Sequence, residues 1–173
     1  NPLTNDLTGE TILVTGAGGS IGSELCRQVA EFRPKVLIMY ERNENNLYYK
    51  DIEIEKKVPG LNIVPVVGDI LNQNKLARIL EKYKPGIIYH AAAYKHVPLM
   101  ERDPAEAVRN NFFGTKVLTD LCVEYNVKKL VFISTDKAVN PSSVMGCTKR
   151  LTEKLMQTYK STSVKFISVR FGN

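Results

Sequence analysis

Short apolar, β-branched runs alternate with stretches of helical period along the whole chain, and few folds accept that order. The runs are Thr11–Thr15, Val36–Tyr40, Asn62–Val67, Gly86–His90, Lys129–Ser134 and Lys165–Arg170. Strand, helix, strand is the signature of βαβ units, which build a parallel sheet covered on both faces. The sequence therefore predicts a Rossmann-type, doubly wound α/β sheet of about six strands with helices on both faces. The helix opened by Ser20 carries Ile21, Leu25, Val29 and Phe32 at i, i+4, i+8 and i+11, a stripe expected to face the sheet before Pro34 stops it. Further helices are expected after Asn43, over Asn72–Tyr83, from near Pro104 to near Asn126, and over Ser143–Lys160.

Residues 1–173 amount to one domain, long enough to bury roughly two-thirds of the unfolded surface without staples. No linker, low-complexity tract or fixed-period repeat divides them. The order stops at Arg170-Phe171-Gly172-Asn173, just past the sixth strand, with nothing yet built over the carboxyl edge of the sheet. A substrate-binding portion is accordingly expected largely outside this chain.

Several function classes drop out at this level. Cys26, Cys122 and Cys147 are odd in number, lack C-x-x-C spacing and sit in helical stretches, which speaks for a reducing, cytoplasmic setting and against disulfides or zinc. No run approaches the roughly 18 apolar residues of a membrane span, and residues 1–10 lack a signal-peptide pattern. The net charge of +6 is scattered among acidic neighbours, so an anionic small molecule suits it and nucleic acid is not expected. His90 and His96 flank a small-residue loop without a clustered third ligand, so they read as structural and no metal is expected.

The strongest local signal is Thr15-Gly16-Ala17-Gly18-Gly19-Ser20-Ile21-Gly22, directly after a strand and opening a helix. Glycines there permit a tight turn and let the backbone approach a pyrophosphate, whose charge the helix N-terminus attracts. Gly16, Gly19, Ser20, Ile21 and Gly22 are thus candidate dinucleotide contacts; a P-loop is excluded because no Gly-Lys-Ser/Thr follows. Nineteen residues past Gly22, Glu41 ends the second strand, where a carboxylate accepts hydrogen bonds from the adenosine ribose and repels a 2′-phosphate, favouring NAD. Arg42 follows at once and could instead pair with the 2′-phosphate of NADP, and an exposed loop ion pair is the plainer reading of both. Asp69 and Ile70, after the third strand, are candidates for the adenine site, with a helix-capping role the alternative for Asp69. Ser134-Thr135-Asp136-Lys137 ends the fifth strand, beyond whose carboxyl end such sheets place ligands. Adjacent carboxyl and amine groups there can act as acid and base if burial and neighbours tune them; a surface ion pair is the alternative.

The glycine loop, Asp69, His90-Ala91-Ala92-Ala93 and Asn111-x-x-Gly114-Thr115 together resemble the extended short-chain dehydrogenase/reductases over nearly the whole chain. Ala93-Tyr94-Lys95-His96-Val97-Pro98, Ser134 through Pro141, and Met145-Gly146-Cys147-Thr148-Lys149-Arg150 are similar to the bacterial polysaccharide-biosynthesis branch. That branch comprises UDP-N-acetylglucosamine 4,6-dehydratases and related epimerases. The resemblance implies a UDP-sugar substrate, NAD or NADP held through Ala91 and Ala92 as well, and Lys149 on the nicotinamide ribose. It further implies Lys137 as the base at sugar C5, Asp136 as the acid at C6, and Thr135 or Asp136, oriented by Lys149, at the C4 hydroxyl. Lys95, Ser134 and Asn173 are then substrate contacts. Most short-chain dehydrogenases carry Tyr four residues before that lysine; here it is Met145, whose thioether cannot exchange a proton. Longer members of the branch are similar in carrying Met and are often membrane-anchored, so a homo-oligomer and an anchor outside this chain, at the cytoplasmic face of the inner membrane, are further expectations. A 4-epimerase and a non-catalytic NAD-binding regulatory module remain as alternatives.

Overall fold

A computed structural model describes residues 7–159 and 161–172. Six parallel strands among them form one sheet: β1 (Thr11–Thr15), β2 (Val36–Glu41), β3 (Ile63–Val67), β4 (Ile87–His90), β5 (Lys129–Thr135) and β6 (Lys165–Phe171). Their order across the sheet is β3-β2-β1-β4-β5-β6, and each agrees with the sequence expectation to within one residue at either end. The order reverses between β1 and β4, which opens a crevice at the carboxyl edge where the two halves diverge.

Alternate residues of the strands feed two cores. Leu13, Ile38, Tyr40, Ile88, Leu130 and Phe132 face one layer, with α3 (Gln73–Tyr83), α6 (Gly114–Glu124) and α7 (Val144–Thr158) supplying Leu76, Leu80, Leu118 and Met156. Ile12, Val14, Leu37 and Met39 face the other, against Cys26 and Val29 of α1 (Ser20–Glu31) and Leu47 and Ile54 of α2 (Glu44–Lys57). Each such side chain contributes roughly 1.5–3 kcal/mol by leaving water, so both faces of a central strand must be apolar, which is why the runs read as continuous in the sequence. Asn43 and Asn72 cap α2 and α3, accepting from Asn46 N and Lys75 N. Pro65 lies on β3, which pairs with β2 alone, an edge position where a missing N–H is tolerated.

Three expectations need correction. The stripe proposed for α1 does not face the sheet as a unit: Ile21 is 40% exposed, Leu25 and Phe32 are half-buried, and Gly22, Cys26, Val29 and Ala30 make the inner face. The first turn of α1 stands over the crevice rather than on the sheet, so Ile21 is free of the core. The long helix from Pro104 is not uniform. A helical turn α5 (Pro104–Ala107) passes into a π-helical stretch over Val108–Phe113 before α6 begins, a bulge of the kind frequent at functional sites. A short helix, α4 (Val97–Arg102), was not expected, and α7 ends at Thr158, with the expected limit at Lys160 outside the described residues. No helix among the described residues is long and apolar enough to cross a membrane.

Candidate active site

The loops that leave β1 through β5 at the carboxyl edge enclose two adjoining cavities. The smaller, about 190 Å³, is lined by Gly16, Glu41, Arg42, Asp69, Ile70 and Ala92. The larger, about 520 Å³, is lined by Ser20, Ile21, Gly22, Lys95, Ser134, Thr135, Lys137, Met145 and Lys149. Gly19, Ala91, Ala93 and Tyr94 border both, so the two form one continuous groove. Asp136 does not line it but stands exposed beside Thr135 and Lys137, and Asn173 lies outside the described residues.

The glycine loop is shaped by contacts no larger residue could make. Gly16 has φ +69°, and a Cβ there would fall 2.7 Å from Ala92 N, which also accounts for the small residues Ala91 and Ala92 after β4. A Cβ on Gly22 would sit 2.0 Å from the Gly16 carbonyl oxygen. The helix that follows begins with no side-chain cap and no acidic residue in its first turn, so its N–H dipoles face the groove without local compensation.

Glu41 is tethered from both sides: Gly18 N donates to Oε2 at 3.0 Å and Asn43 N to Oε1 at 2.8 Å. The carboxylate is thereby aimed into the smaller cavity. Asp69 serves its own turn, accepting from Leu71 N at 2.8 Å, while its other oxygen lies 3.8 Å from Arg42. Asp69 closes its own turn and does not cap α3, whose N-cap is Asn72, and it stands with Arg42 on the wall of the smaller cavity.

Lys149, one helical turn after Met145, is buried with it in the larger cavity; Lys149 Nζ donates to the Ile133 carbonyl at 2.8 Å and lies 4.5 Å from the Phe132 ring centroid. Burial lowers its pKa to about 8, with the charge of Glu153 opposing the shift, so it remains a cation at neutral pH and loses its charge above about 8. Met145 offers apolar volume and no proton. Thr135 Oγ1 donates to Asp136 Oδ1 at 2.9 Å, and Lys137 N donates to the same oxygen at 2.9 Å. The Thr135 hydroxyl, foremost, and the neighbouring Lys137 charge hold the Asp136 carboxyl below its usual range. Lys137 Nζ stands 3.6 Å from Asp136 Oδ1, with both side chains well exposed, so the burial that the acid and base assignments called for is not found in the open site.

Glu153 escaped the sequence reading, and the contacts made by Asn111 and His90 were not expected from it. Glu153, four residues after Lys149 on α7, is a buried carboxylate that accepts from Ser134 Oγ at 2.7 Å and from Arg170 Nε and Nη2 at 2.9 and 2.7 Å. It ties the carboxyl ends of β5 and β6 together and directs the Ser134 hydroxyl toward the helix. The i, i+4 spacing from Lys149 was the available signal. Asn111, in the π-helical stretch, accepts from Tyr94 N at 2.8 Å and donates to Tyr94 O at 3.0 Å and Thr148 Oγ1 at 3.1 Å, fixing the loop after β4.

His90, expected to be structural, is a buried bolt between Thr15 and Thr115. Thr115 Oγ1 donates to the Asn111 carbonyl at 2.6 Å, so His90 Nε2 must be the donor to Thr115 Oγ1 at 2.8 Å, and Nδ1 accepts from Thr15 Oγ1 at 2.7 Å. Burial, with the Lys149 charge adding to it, pushes the His90 pKa down to about 3. The unfolded chain binds this proton near pH 6.5 and the folded chain refuses it, so stability is complete above pH 6.5 and falls as pH drops toward 3. The loss expected from His90 alone is ~3 kcal/mol by pH 4. Thermal melts from pH 7 to 4 check this: His90→Gln should flatten the slope, and an unchanged slope would place the acid sensitivity elsewhere.

The family described as polysaccharide biosynthesis protein matches residues 12–173. The chain is 49% identical over 174 residues to the capsular polysaccharide biosynthesis protein CapD of Staphylococcus aureus, an alignment covering 99% of this chain and 29% of that protein. It is 32% identical over 170 residues to a UDP-N-acetylglucosamine 4,6-dehydratase (inverting) of Campylobacter jejuni, covering 95% of this chain and 49% of that enzyme. Among solved structures, the UDP-glucose 4-epimerase from Brucella ovis in complex with NAD superposes with a TM-score of 0.81 at 25% identity, covering 95% of this chain and 52% of that one. The chain thus spans half or less of the length of these curated relatives.

Proposed function

Because this chain belongs to the polysaccharide biosynthesis protein family, we propose that it is the NAD-binding domain of a UDP-N-acetylglucosamine 4,6-dehydratase whose sugar-enclosing walls lie largely outside residues 1–173. The observation that carries the reading is one groove joining a tethered ribose-type carboxylate, Glu41, to a cavity walled by the glycine loop, Thr135, Lys137 and buried Lys149.

The residues fit a dinucleotide. At Gly16 and Gly22 the backbone packs too closely for any Cβ, which fixes the tight turn ahead of α1, and the N–H groups of that helix's first turn suit a pyrophosphate. Glu41 receives the adenosine ribose, Asp69 and Ile70 border the adenine, and Lys149 holds the nicotinamide ribose as a cation. NAD held by these residues would supply the acceptor for the hydride of sugar C4 and the donor of that hydride to C6, with no net consumption.

The chain's own residues move protons around that exchange. Thr135, hydrogen-bonded to Asp136, meets the C4 hydroxyl and passes its proton to the Asp136 carboxylate as C4 is oxidised. The resulting 4-keto group makes the C5 proton acidic, and Lys137 removes it, then returns a proton to C5 when the hydride reaches C6. Asp136 delivers a proton to the departing C6 hydroxyl, which leaves as water. The open site favours the Asp136 anion; enclosure beneath the sugar supplies the opposite push, since desolvation raises a carboxyl pKa. Lys95 faces the same cavity and its charge suits the diphosphate. Mass spectrometry of the product that the full-length protein forms from UDP-N-acetylglucosamine tests the reading. Loss of one water supports dehydration, and an isomer of unchanged mass with no solvent deuterium at C5 would instead establish epimerisation.

The tethered Glu41 carries a separate expectation. NAD should bind more tightly than NADP, and Glu41→Ala should narrow the gap, because the change removes both the ribose acceptor and the repulsion of a 2′-phosphate. Titration of both cofactors decides it, and tighter NADP binding by the unaltered protein would transfer the specificity role to Arg42.

A further inference from the structure

Arg42 is the first residue after β2, and Tyr94 lies four residues beyond the end of β4. In the sheet these strands are not neighbours, because β1 runs between them. Adjacent strands lie roughly 4.8 Å apart, so the two loops start about 10 Å from each other. Any direct contact between them must cross the carboxyl end of β1, where the glycine loop begins. Such a contact exists: the Arg42 guanidinium carbon lies 5.0 Å from the centroid of the Tyr94 ring.

The two ends of this bridge differ in firmness. Tyr94 is a fixed post, its backbone N–H and carbonyl both held by the Asn111 side chain, which is itself 1% exposed. Arg42 is the movable arm: its side chain is 52% exposed and its second partner, Asp69, stands 3.8 Å away on the loop after β3. The bridge lies where the smaller and larger cavities meet, since Tyr94 borders both and Arg42 the smaller. A ligand extended from Glu41 to Lys149 must pass along the groove at this point.

We infer that Arg42 and Tyr94 form a strap across the groove that must part for a dinucleotide to enter or leave. This rests on the NAD reading above and adds to it a control on exchange. A strap differs from a ligand contact in its kinetics. Holding the bound ligand through direct contacts slows dissociation alone, whereas a closed strap slows association and dissociation together. Slow exchange suits a reaction that restores its cofactor in every cycle.

Stopped-flow measurement of NAD association and dissociation, with the full-length wild type, Arg42→Ala, Tyr94→Leu and the double variant, tests the strap. Removing either partner should raise both rate constants by on the order of 3- to 10-fold, the factor implied by one exposed cation–π contact with an adjoining carboxylate. The double variant should be no faster than the singles, because either change opens the same strap. Arg42 is exposed, so Arg42→Ala carries the test alone if Tyr94→Leu does not fold. Faster dissociation with unchanged association would make Arg42 a direct ligand contact and overturn the strap, as would two unchanged rate constants. Failure of the wild type to bind either NAD or NADP would instead overturn the cofactor reading, and the strap with it.

Discussion

Replacing Lys137 by Ala in the full-length protein is expected to lower kcat on the order of 10²- to 10⁴-fold, the range associated with losing a general acid or base. Asp136→Asn should fall in the same range, since an amide can neither deliver nor accept the proton that the carboxyl is asked to carry. Met145→Leu provides the contrast. Its side chain is buried in the same cavity, one helical turn from Lys149, yet it has no proton to exchange, and Leu nearly conserves its volume. That change should lower kcat less than about tenfold, a difference under roughly 1.4 kcal/mol. Steady-state rates of all three variants, with cofactor binding and melting temperature measured alongside, make the comparison. Equal damage from Met145→Leu and Lys137→Ala, with fold and cofactor binding intact, would give the sulfur a part in the chemistry and remove the proton path assigned to Thr135, Asp136 and Lys137.

The second large effect is expected at Gly22, where an added methyl would lie 2.0 Å from the Gly16 carbonyl oxygen. Backbone on backbone cannot be relieved by a rotamer change, so α1 must draw away from the loop or the loop must open. Overpacking of this kind costs about 1–3 kcal/mol or more, a fall of roughly 3–10 °C in melting temperature for a chain of this size. NAD affinity should fall further, on the order of 100-fold, because the same shift displaces the N–H groups offered to the pyrophosphate. Gly19→Ala is the internal comparison: its Cβ would meet the same carbonyl at 3.3 Å, a distance that small adjustments accommodate. Calorimetric titration of NAD into both variants separates the cases. Wild-type affinity and stability in Gly22→Ala would show that the loop is not held as tightly as its contacts imply.

Much of the architecture is legible in the sequence, for a plain reason. A parallel sheet covered on both faces needs strands that are apolar on both sides, and Thr11–Thr15, Val36–Glu41 and Lys129–Thr135 carry that requirement in consecutive residues. The glycine loop was legible because its chemistry is local, with strand, turn and helix entry contiguous in the chain. The placement of Glu41 at the end of β2, on the cavity wall, was legible in the same way. The failures were of another kind. Ile21 fits a helical stripe by spacing, yet the first turn of α1 projects past the edge of the sheet, and spacing carries no information on where a helix meets its neighbour.

The chain by itself determined which residues reach the carboxyl edge, because strand ends and the loops after them follow from hydrophobic pattern and turn chemistry. It left undecided what those residues do to one another once there. Glu153 reaching Ser134 and Arg170, His90 held as the Nε2–H tautomer between Thr15 and Thr115, Asn111 clasping Tyr94, and Arg42 crossing β1 to the Tyr94 ring all join residues distant in the chain. Lys149 and Asp136 make the point in charge terms, one losing proton affinity by burial and the other by hydrogen bonds in an exposed turn. Desolvation and partner distance set these properties, and both are defined only when the strands have taken their order in the sheet and the helices have closed over them.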